Sequence, residues 1–245
     1  MLLRVKAKNE APGKGISFEL KKSYTTTLKN SLSFTLTSAQ KRVIREIVED
    51  MQSTKVMSRL LQGDVGSGKT IVALFSMLLA VENGYQAILL VPTEVLAKQH
   101  YQSFTKLLSN QPELSVELIL GGANKAKREA LERIGSGKAN LIIGTHALLE
   151  ESVNYHKIGL IVIDEQQRFG VEQRAKLPEK SGNADVLYLT ATPIPRSLAL
   201  TFYGDLEVSS INELPPNRIP VKTYLQSAQN KATVYKALRE QLNLG

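Results

Sequence analysis

The chain has 245 residues, enough for one large or two small domains, and 42% of them are hydrophobic. Because it has no cysteine and only three scattered histidines, disulfides and thiolate metal sites are excluded and a histidine metal centre is disfavoured. No segment approaches the ~20 apolar residues needed to cross a bilayer, and the N-terminus lacks the apolar core of a signal peptide. We therefore expect a soluble, cytoplasmic protein with no membrane partner.

The net charge of +8 is concentrated at the two ends of the chain. Residues 1–30 carry seven Lys and Arg against two Glu, and residues 214–245 carry five against one, whereas residues 31–213 carry nineteen against twenty acidic residues. Solvated basic ends explain this distribution as well as a nucleic-acid partner does. Charge alone therefore does not identify what the protein binds.

Apolar segments alternate between strand and helix patterns along the chain. Residues 1–32 have poor periodicity and predict a lead-in, after which Thr37 or Ser38 begins a helix with a 3.6-residue apolar period. Further helices are predicted over Glu94–Leu108 and Lys125–Ile134. The strand candidates are Arg59–Gln62, Ala87–Val91, Val116–Leu120, Asn140–Ile143, Leu160–Ile163 and Val186–Leu189. Such runs, separated by helices, predict an α/β fold with a mostly parallel sheet covered on both faces.

Eight residues after the first strand candidate match the phosphate-loop pattern G-x-x-x-x-G-K-[ST]. They are Gly63, Asp64, Val65, Gly66, Ser67, Gly68, Lys69 and Thr70. Glycines let backbone amides approach phosphates, and the helix predicted to follow adds the positive end of its dipole. The pattern predicts Lys69 on the β- and γ-phosphates and the Thr70 hydroxyl on Mg²⁺. An ordinary glycine-rich turn is the alternative, which the flanking strand and helix patterns disfavour.

Two carboxylates, Asp164 and Glu165, directly follow the strand candidate Leu160–Ile163. In parallel sheets the carboxyl ends of the strands form the ligand-binding edge. Mg²⁺ binds few carboxylates and keeps several waters, which fits Asp164 as a metal ligand. Glu165 is then placed to orient and deprotonate a water for attack on the γ-phosphate. Standing alone, an apolar run followed by Asp-Glu would indicate only a solvated strand end.

Small polar residues follow four other strand candidates. Thr190, Ala191 and Thr192, followed by proline, could hydrogen-bond the neighbouring carboxylates, or could form an ordinary turn. Pro92 with Thr93, Gly121 with Gly122, and Thr145 each precede a helix or a basic segment. Hydroxyls and amides at such positions suit the phosphates of a nucleic-acid strand, and plain helix capping is the equal alternative.

In their order and spacing, five segments resemble the first RecA-like motor domain of superfamily 2 helicases of the RecG type: GDVGSGKT, VPTEVLAKQH, IGTHAL, DEQQRFGVEQR and TATPIPRSLAL. The resemblance spans roughly residues 33–225. It implies a RecA-like P-loop NTPase domain that binds ATP and Mg²⁺, with Gln40 reading adenine and Phe34 packing on the base. It also implies that Gln167 and Thr190–Thr192 couple hydrolysis to DNA movement. Many relatives have histidine where Gln167 stands, which leaves that coupling contact in doubt.

The resemblance further implies a domain organisation. Residues 1–32 would be a linker from an N-terminal wedge domain, residues 33–213 the ATP-binding domain, and residues 214–245 a linker with the first βα unit of a second RecA-like domain. That unit would comprise an extended segment at Ile219–Tyr224 and a helix at Lys231–Leu244. We expect the full-length protein, a monomer, to translocate on and remodel branched or forked DNA in recombination and repair. The arginine finger would come from the second motor domain.

Two alternatives remain at this point. A transcription-repair coupling translocase of the Mfd type shares nearly all these motifs and would differ by an RNA polymerase-binding module. A nucleotide-binding switch without motor activity is the other. Against a GTPase, the sequence has no Asn-Lys-x-Asp motif after the phosphate loop, because Asn124-Lys125-Ala126-Lys127 lacks the Asp.

Overall fold

The computed structural model describes residues 15–165, 181–192, 206–213 and 225–243. They belong to two compact units, one within residues 1–215 and the other within residues 216–245. Three sequence predictions lie outside the described residues: the coupling role of Gln167, the proline that follows Thr192, and the extended segment Ile219–Tyr224.

The described residues of the first unit form one sheet of seven strands, in the spatial order β3-β4-β2-β5-β6-β1-β7. All the neighbouring pairs are parallel, which confirms the predicted α/β class. The strands are β1 Ser58–Gly63, β2 Gln86–Leu90, β3 Val116–Ile119, β4 Leu141–Gly144, β5 Ile158–Ile163, β6 Asp185–Thr190 and β7 Glu207–Ile211.

Helices cover both faces of this sheet. Those in the described ranges are α1 Tyr24–Ser31, α2 Ser38–Gln52, α3 Lys69–Glu82, α4 Glu94–Leu107, α5 Lys125–Gly135 and a short 3₁₀ helix at His146–Leu149. Alternate strand residues enter opposite cores: Ala87 and Leu89 pack with α1 to α4, whereas Ile88 and Leu90 pack with α5 and the 3₁₀ helix. Because strands buried on both faces need apolar residues throughout, they appear in the sequence as continuous apolar runs.

Helix α2 begins where the sequence predicted. Thr37 is its N-cap, and its hydroxyl accepts a hydrogen bond from the Gln40 amide at 3.2 Å. The Gln40 side chain returns the bond by accepting from the Thr37 amide at 2.9 Å. This reciprocal capping box fixes both the start of α2 and the position of the Gln40 side chain.

The segment before α2 is part of the first unit's core from residue 15 onward. Phe18 and Leu28 are fully buried. The Glu82 carboxylate, at the end of α3, accepts hydrogen bonds from the amides of Lys22 and Thr25 at 3.1 and 2.8 Å. The sequence predicted only a lead-in here because α1 has a single fully buried residue, which leaves no 3.6-residue apolar stripe to detect.

Strand β7 was not among the predicted strands, because it is short and half polar. It lies at the edge of the sheet beside β1. Arg59, buried on β1, donates to the Ser209 hydroxyl of β7 at 2.7 Å and to Asp50 of α2 at 2.6 Å. Arg42 of α2 donates to the Ser210 carbonyl at 2.7 Å. Side-chain hydrogen bonds from β1 and α2 thus add to the main-chain pairing with β1 and help to hold a strand that has little apolar surface of its own.

The second unit contains a 3₁₀ turn at Ala228–Asn230 and helix α6, Lys231–Asn243. The helical pattern predicted for this region is therefore confirmed. Leu238 and Leu242, one helical turn apart on α6, are 52% and 79% exposed. Among the helices of the described ranges, none combines the length and apolar character needed to cross a membrane.

Asp185, the first residue of β6, is buried. It lies on the side of the sheet where strands begin, opposite the C-terminal strand ends that carry the motifs. One carboxylate oxygen accepts from the Met57 amide at 2.7 Å, and the other has no hydrogen-bond partner among the described residues. Burial raises the pKa of Asp185 to about 7; the nearby Asp50 carboxylate acts in the same direction, and the Met57 hydrogen bond opposes it.

We predict that Asp185 lowers the free energy of unfolding as the pH rises from about 4 to about 7. In this window the unfolded chain has released the proton, given an ordinary Asp pKa of about 3.9, while the folded chain still holds it. Asp185→Asn keeps the acceptor for Met57 and cannot ionise. The variant should therefore gain unfolding free energy relative to the parent by roughly 2–3 kcal/mol between pH 5 and pH 8.

Urea unfolding of both proteins at the two pH values measures this difference. Glu132→Gln, at an exposed position of α5, is the control and should show no such gain. A constant difference between Asp185→Asn and its parent at both pH values would contradict the prediction.

Candidate functional site

The glycine-rich segment forms the turn between β1 and α3, the position that its pattern predicted. Gly66 and Gly68 have φ angles of +76° and +89°, in the left-handed region that favours glycine. Gly68 is also the N-cap of α3, and a Cβ there would collide with the Gln40 side-chain nitrogen. Conformation and space therefore both require glycine at this position.

The charged and polar groups of this loop fit an anionic ligand. Lys69 donates to two carbonyls of the loop itself, Gly63 at 2.6 Å and Asp64 at 2.9 Å. Burial lowers the pKa of Lys69, and the carboxylates of Asp164, Glu165 and Asp64 act in the opposite direction. The Ser67 hydroxyl is buried without a hydrogen-bond partner among the described residues. An ammonium and an unsatisfied hydroxyl, together with the amide end of α3, suit a phosphate chain.

The two predicted carboxylates lie at the C-terminal end of β5. One oxygen of Asp164 accepts from the Glu165 amide at 2.9 Å, and the other lies 3.3 Å from His100 Nε2. Glu165 has a φ of +51°, an uncommon conformation for a non-glycine residue. Among the described residues no cluster of three or more His, Cys, Asp or Glu could hold a metal by itself. One carboxylate with the Thr70 hydroxyl fits Mg²⁺, which takes few protein ligands when phosphates supply others.

The Thr190–Thr192 segment lies between the phosphate loop and the carboxylates, because β6 pairs with both β1 and β5. Thr190 stands opposite Gln62, next to the start of the loop. The Thr190 and Thr192 hydroxyls are 2.9 Å apart, and the Thr192 amide donates to Thr190 at 3.2 Å. The segment is thus a hydrogen-bonded turn beside both groups.

A cleft of about 590 Å³ opens beside the phosphate loop at the same edge of the sheet. Its lining comes from the ends of β1, β6 and β7: Gln62, Gly63, Asp64, Ala191, Ile211, Asn212 and Glu213. Glu213 also accepts a hydrogen bond from the Ala39 amide at 3.1 Å. The residues after β7 therefore contact the N-terminus of α2, and the sequence offered no signal for this contact beyond an isolated carboxylate.

Gln40 and Phe34 differ in their surroundings. The Gln40 side chain is buried; its nitrogen donates to the Ser67 carbonyl at 2.8 Å while its oxygen completes the α2 capping box. An amide group has a second N–H and a second lone pair, so these bonds leave capacity for a base. Phe34 is 48% exposed and lines a depression with Leu36 and Lys41. The adenine contacts implied by the resemblance stay predictions for both residues.

The positions considered for nucleic acid follow the adjacent strands β3, β4 and β2. Thr93 is exposed and caps α4 by accepting from the Leu96 amide at 3.3 Å. Gly122 has a φ of +81° and, with Gly121, forms a bend after β3. Thr145 is 1% exposed and its hydroxyl is buried, so that hydroxyl is not available to a phosphate. Pro92 lies beside Thr93. Pro92, Thr93, Gly121 and Gly122 therefore stay candidates for contacts with nucleic acid.

His100, which lies against Asp164, was not predicted from the sequence as a site residue. A usable signal exists in the helical pattern, because His100 falls between Ala97 and Phe104 on the buried face of α4. A titratable residue on an apolar helix face indicates a polar partner inside the protein.

Comparison with known proteins agrees with this geometry. The family model described as DEAD/DEAH box helicase matches residues 37–201. The chain is 52% identical over 217 residues to the ATP-dependent DNA helicase RecG of Synechocystis sp., covering 87% of this chain and 26% of that protein. It is 51% identical over 223 residues to the RecG of Streptococcus pneumoniae, covering 91% and 33%. The chain thus spans about a quarter to a third of these relatives.

Solved structures extend the comparison. A structure of RecG bound to a three-way DNA junction matches with a TM-score of 0.84 and 41% identity, over 95% of this chain and 31% of that one. The DEAD-box helicase Mss116 bound to ssRNA and UDP-BeF matches with a TM-score of 0.62 and 19% identity, over 77% and 43%, which shows the shared fold. The chain belongs to the DEAD/DEAH box helicase family, and within that family it is similar to the RecG DNA helicases.

Proposed function

We propose that this chain is the ATP-binding motor domain of a DNA helicase that couples ATP hydrolysis to movement on branched DNA. The observation that carries the proposal is the arrangement of the phosphate loop, Thr190–Thr192 and Asp164-Glu165 on three neighbouring strand ends. The names of the relatives support DNA as the polymer, and the junction-bound RecG supports a branched form of it.

Each side chain has a role that follows from its position. Lys69 would exchange its loop carbonyls for the β- and γ-phosphates, which are stronger acceptors because they are charged. Thr70 and Asp164 would hold Mg²⁺, whose charge would offset that of the phosphates. Glu165 would orient and deprotonate the attacking water. Thr190 and Thr192 would change hydrogen-bond partners when the γ-phosphate leaves, and Gln167 is proposed as a second coupling residue.

The C-terminal strand ends would form two adjacent sites, one for the nucleotide and one for DNA. The ends of β5, β6 and β1 carry the groups proposed for the nucleotide, and those of β3 and β2 carry the remaining candidate DNA contacts. Backbone amides near Thr93 and Gly121 suit the phosphates of one DNA strand, a sequence-independent contact. Such division would let a motor hold ATP and DNA at once. Residues 214–245 are proposed to open a second motor domain, which the helix Lys231–Asn243 supports.

Nucleotide binding should depend on Lys69. We expect Lys69→Ala to weaken binding of a fluorescent ATP analogue at least tenfold, since a charge-assisted hydrogen bond contributes roughly 1.5–3 kcal/mol. Fluorescence titration measures the affinity, with Lys106→Ala, an exposed lysine of α4, as the matched control. Equal affinity of the parent and Lys69→Ala would rule out the phosphate-loop assignment.

Hydrolysis should depend on Glu165. In a protein that includes both motor domains, Glu165→Gln should bind ATP normally and lower turnover by about 10²–10⁴-fold, because the amide keeps the shape and loses the base. Phosphate release on forked DNA is the measurement, and Glu132→Gln on α5 serves as the exposed control. A parental rate in the Glu165 variant would assign water activation to another residue.

The 245-residue chain by itself should bind ATP and show almost no DNA-stimulated hydrolysis. An arginine finger delivered from a facing domain contributes about 10³–10⁵ in rate, and the resemblance assigns it to the second motor domain. Phosphate release with and without forked DNA tests this expectation, with full-length RecG of Streptococcus pneumoniae as the positive reference. Strong stimulation of this chain alone would show that its catalytic machinery is complete.

A further inference from the structure

The contact between His100 and Asp164 joins a helix to the candidate metal ligand. His100 Nε2 lies 3.3 Å from Asp164 Oδ2, and both side chains are largely buried. An ionised carboxylate can only accept hydrogen bonds, so the ring nitrogen facing it must carry the proton. The imidazole also packs edge-on against the fully buried Phe104, with ring centroids 6.1 Å apart. The core of the protein therefore sets where the ring stands.

The second oxygen of Asp164 is held as well. Asp164 Oδ1 accepts from the Glu165 amide at 2.9 Å, and the Asp164 amide donates to the Leu90 carbonyl of β2 at 2.9 Å. The backbone and one oxygen are thus fixed by neighbouring main chain, and His100 is the side chain that holds the other oxygen. Groups that hydrogen-bond a metal-binding carboxylate orient it, and their loss typically lowers metal affinity 10–100-fold.

We propose that His100 is a positioning residue that orients the Asp164 carboxylate for Mg²⁺ and connects it mechanically to helix α4. This inference rests on the proposed function, in which Asp164 binds the metal of Mg·ATP. His100 does not contact the nucleotide itself; it acts through Asp164.

The place of this contact in the fold gives it a second consequence. Helix α4 begins after Thr93, at the strand end proposed to contact DNA, and His100 follows about two helical turns later. Strands β2 and β5, which lead to α4 and to Asp164, are neighbours at the boundary between the two proposed sites. A shift of α4 on binding DNA would therefore change the His100–Asp164 distance, and with it the affinity for Mg²⁺.

The Mg²⁺ dependence of nucleotide binding by the 245-residue chain tests the proposal without measuring activity. A fluorescent, non-hydrolysable ATP analogue is titrated at increasing Mg²⁺ concentrations. His100→Leu keeps an apolar contact with Phe104 and removes the hydrogen bond, whereas His100→Gln retains an N–H donor of similar reach. His156→Ala, an exposed histidine elsewhere in the chain, is the matched control.

We expect the Mg²⁺ concentration for half-maximal binding to rise about tenfold in His100→Leu and to return close to the parental value in His100→Gln. The control should match the parent, and binding without Mg²⁺ should be equal in all four proteins. An unchanged Mg²⁺ requirement in His100→Leu, or an equal rise in His100→Leu and His100→Gln, would overturn the proposal. Circular dichroism melting checks folding, and His100→Asn, with its shorter amide, replaces the leucine variant if that variant does not fold.

Single-stranded DNA at saturating concentration tests the connection to α4. We expect it to shift the Mg²⁺ requirement of the parent and of His100→Gln, and to leave that of His100→Leu unchanged. An equal shift in all three would overturn the mechanical connection. If the parent binds the analogue with no dependence on Mg²⁺ or on Lys69, the proposed function itself fails, and this outcome is distinct from a defect confined to His100.

Discussion

Parallel pairing of all the neighbouring strands is the constraint from which the rest of this structure follows. Each connection between parallel strands must run back along the sheet to the side where strands begin. The C-terminal ends of all these strands therefore lie on one side of the sheet. The motifs that lie far apart in sequence all follow strand ends, so they meet at that side. The same pairing buries both faces of the central strands, and their continuous apolar runs satisfy this requirement. Chemistry and packing thus depend on a single arrangement.

The phosphate loop is held by a helix that precedes it in the chain. The side-chain amide of Gln40 completes the capping box of α2 with its oxygen and donates to the Ser67 carbonyl with its nitrogen. One side chain thus fixes the start of a helix and restrains the loop. Its nitrogen occupies the space that a Cβ at Gly68 would need. A ligand that engages Gln40 would therefore act on the loop and on α2 together. Glu213 adds a contact from the residues after β7 to the same helix end.

Buried polar groups at other places in the sheet join its layers. Gln86 donates from its side-chain nitrogen to the Ile134 and Ala139 carbonyls, and its oxygen accepts from the His156 amide at 2.9 Å. The amide thereby ties β2 to the end of α5 and to the segment before β5. Arg59 similarly joins β1, β7 and α2. These groups have partners for their charges or dipoles, so burial is tolerated, whereas one oxygen of Asp185 has no partner among the described residues.

The sequence by itself determined the fold class, six of the seven strands in the described residues, and the placement of the glycine-rich loop and the Asp164-Glu165 pair at strand ends. These are local properties: apolar runs, helix periods and the letters around Lys69 and Asp164 each lie within a short stretch of chain. Only the tertiary structure decided that Thr145 is buried, that β7 joins the sheet and that His100 contacts Asp164. Those outcomes depend on which elements become neighbours in space, and strand order is set by packing between segments distant in the chain, which local patterns do not encode.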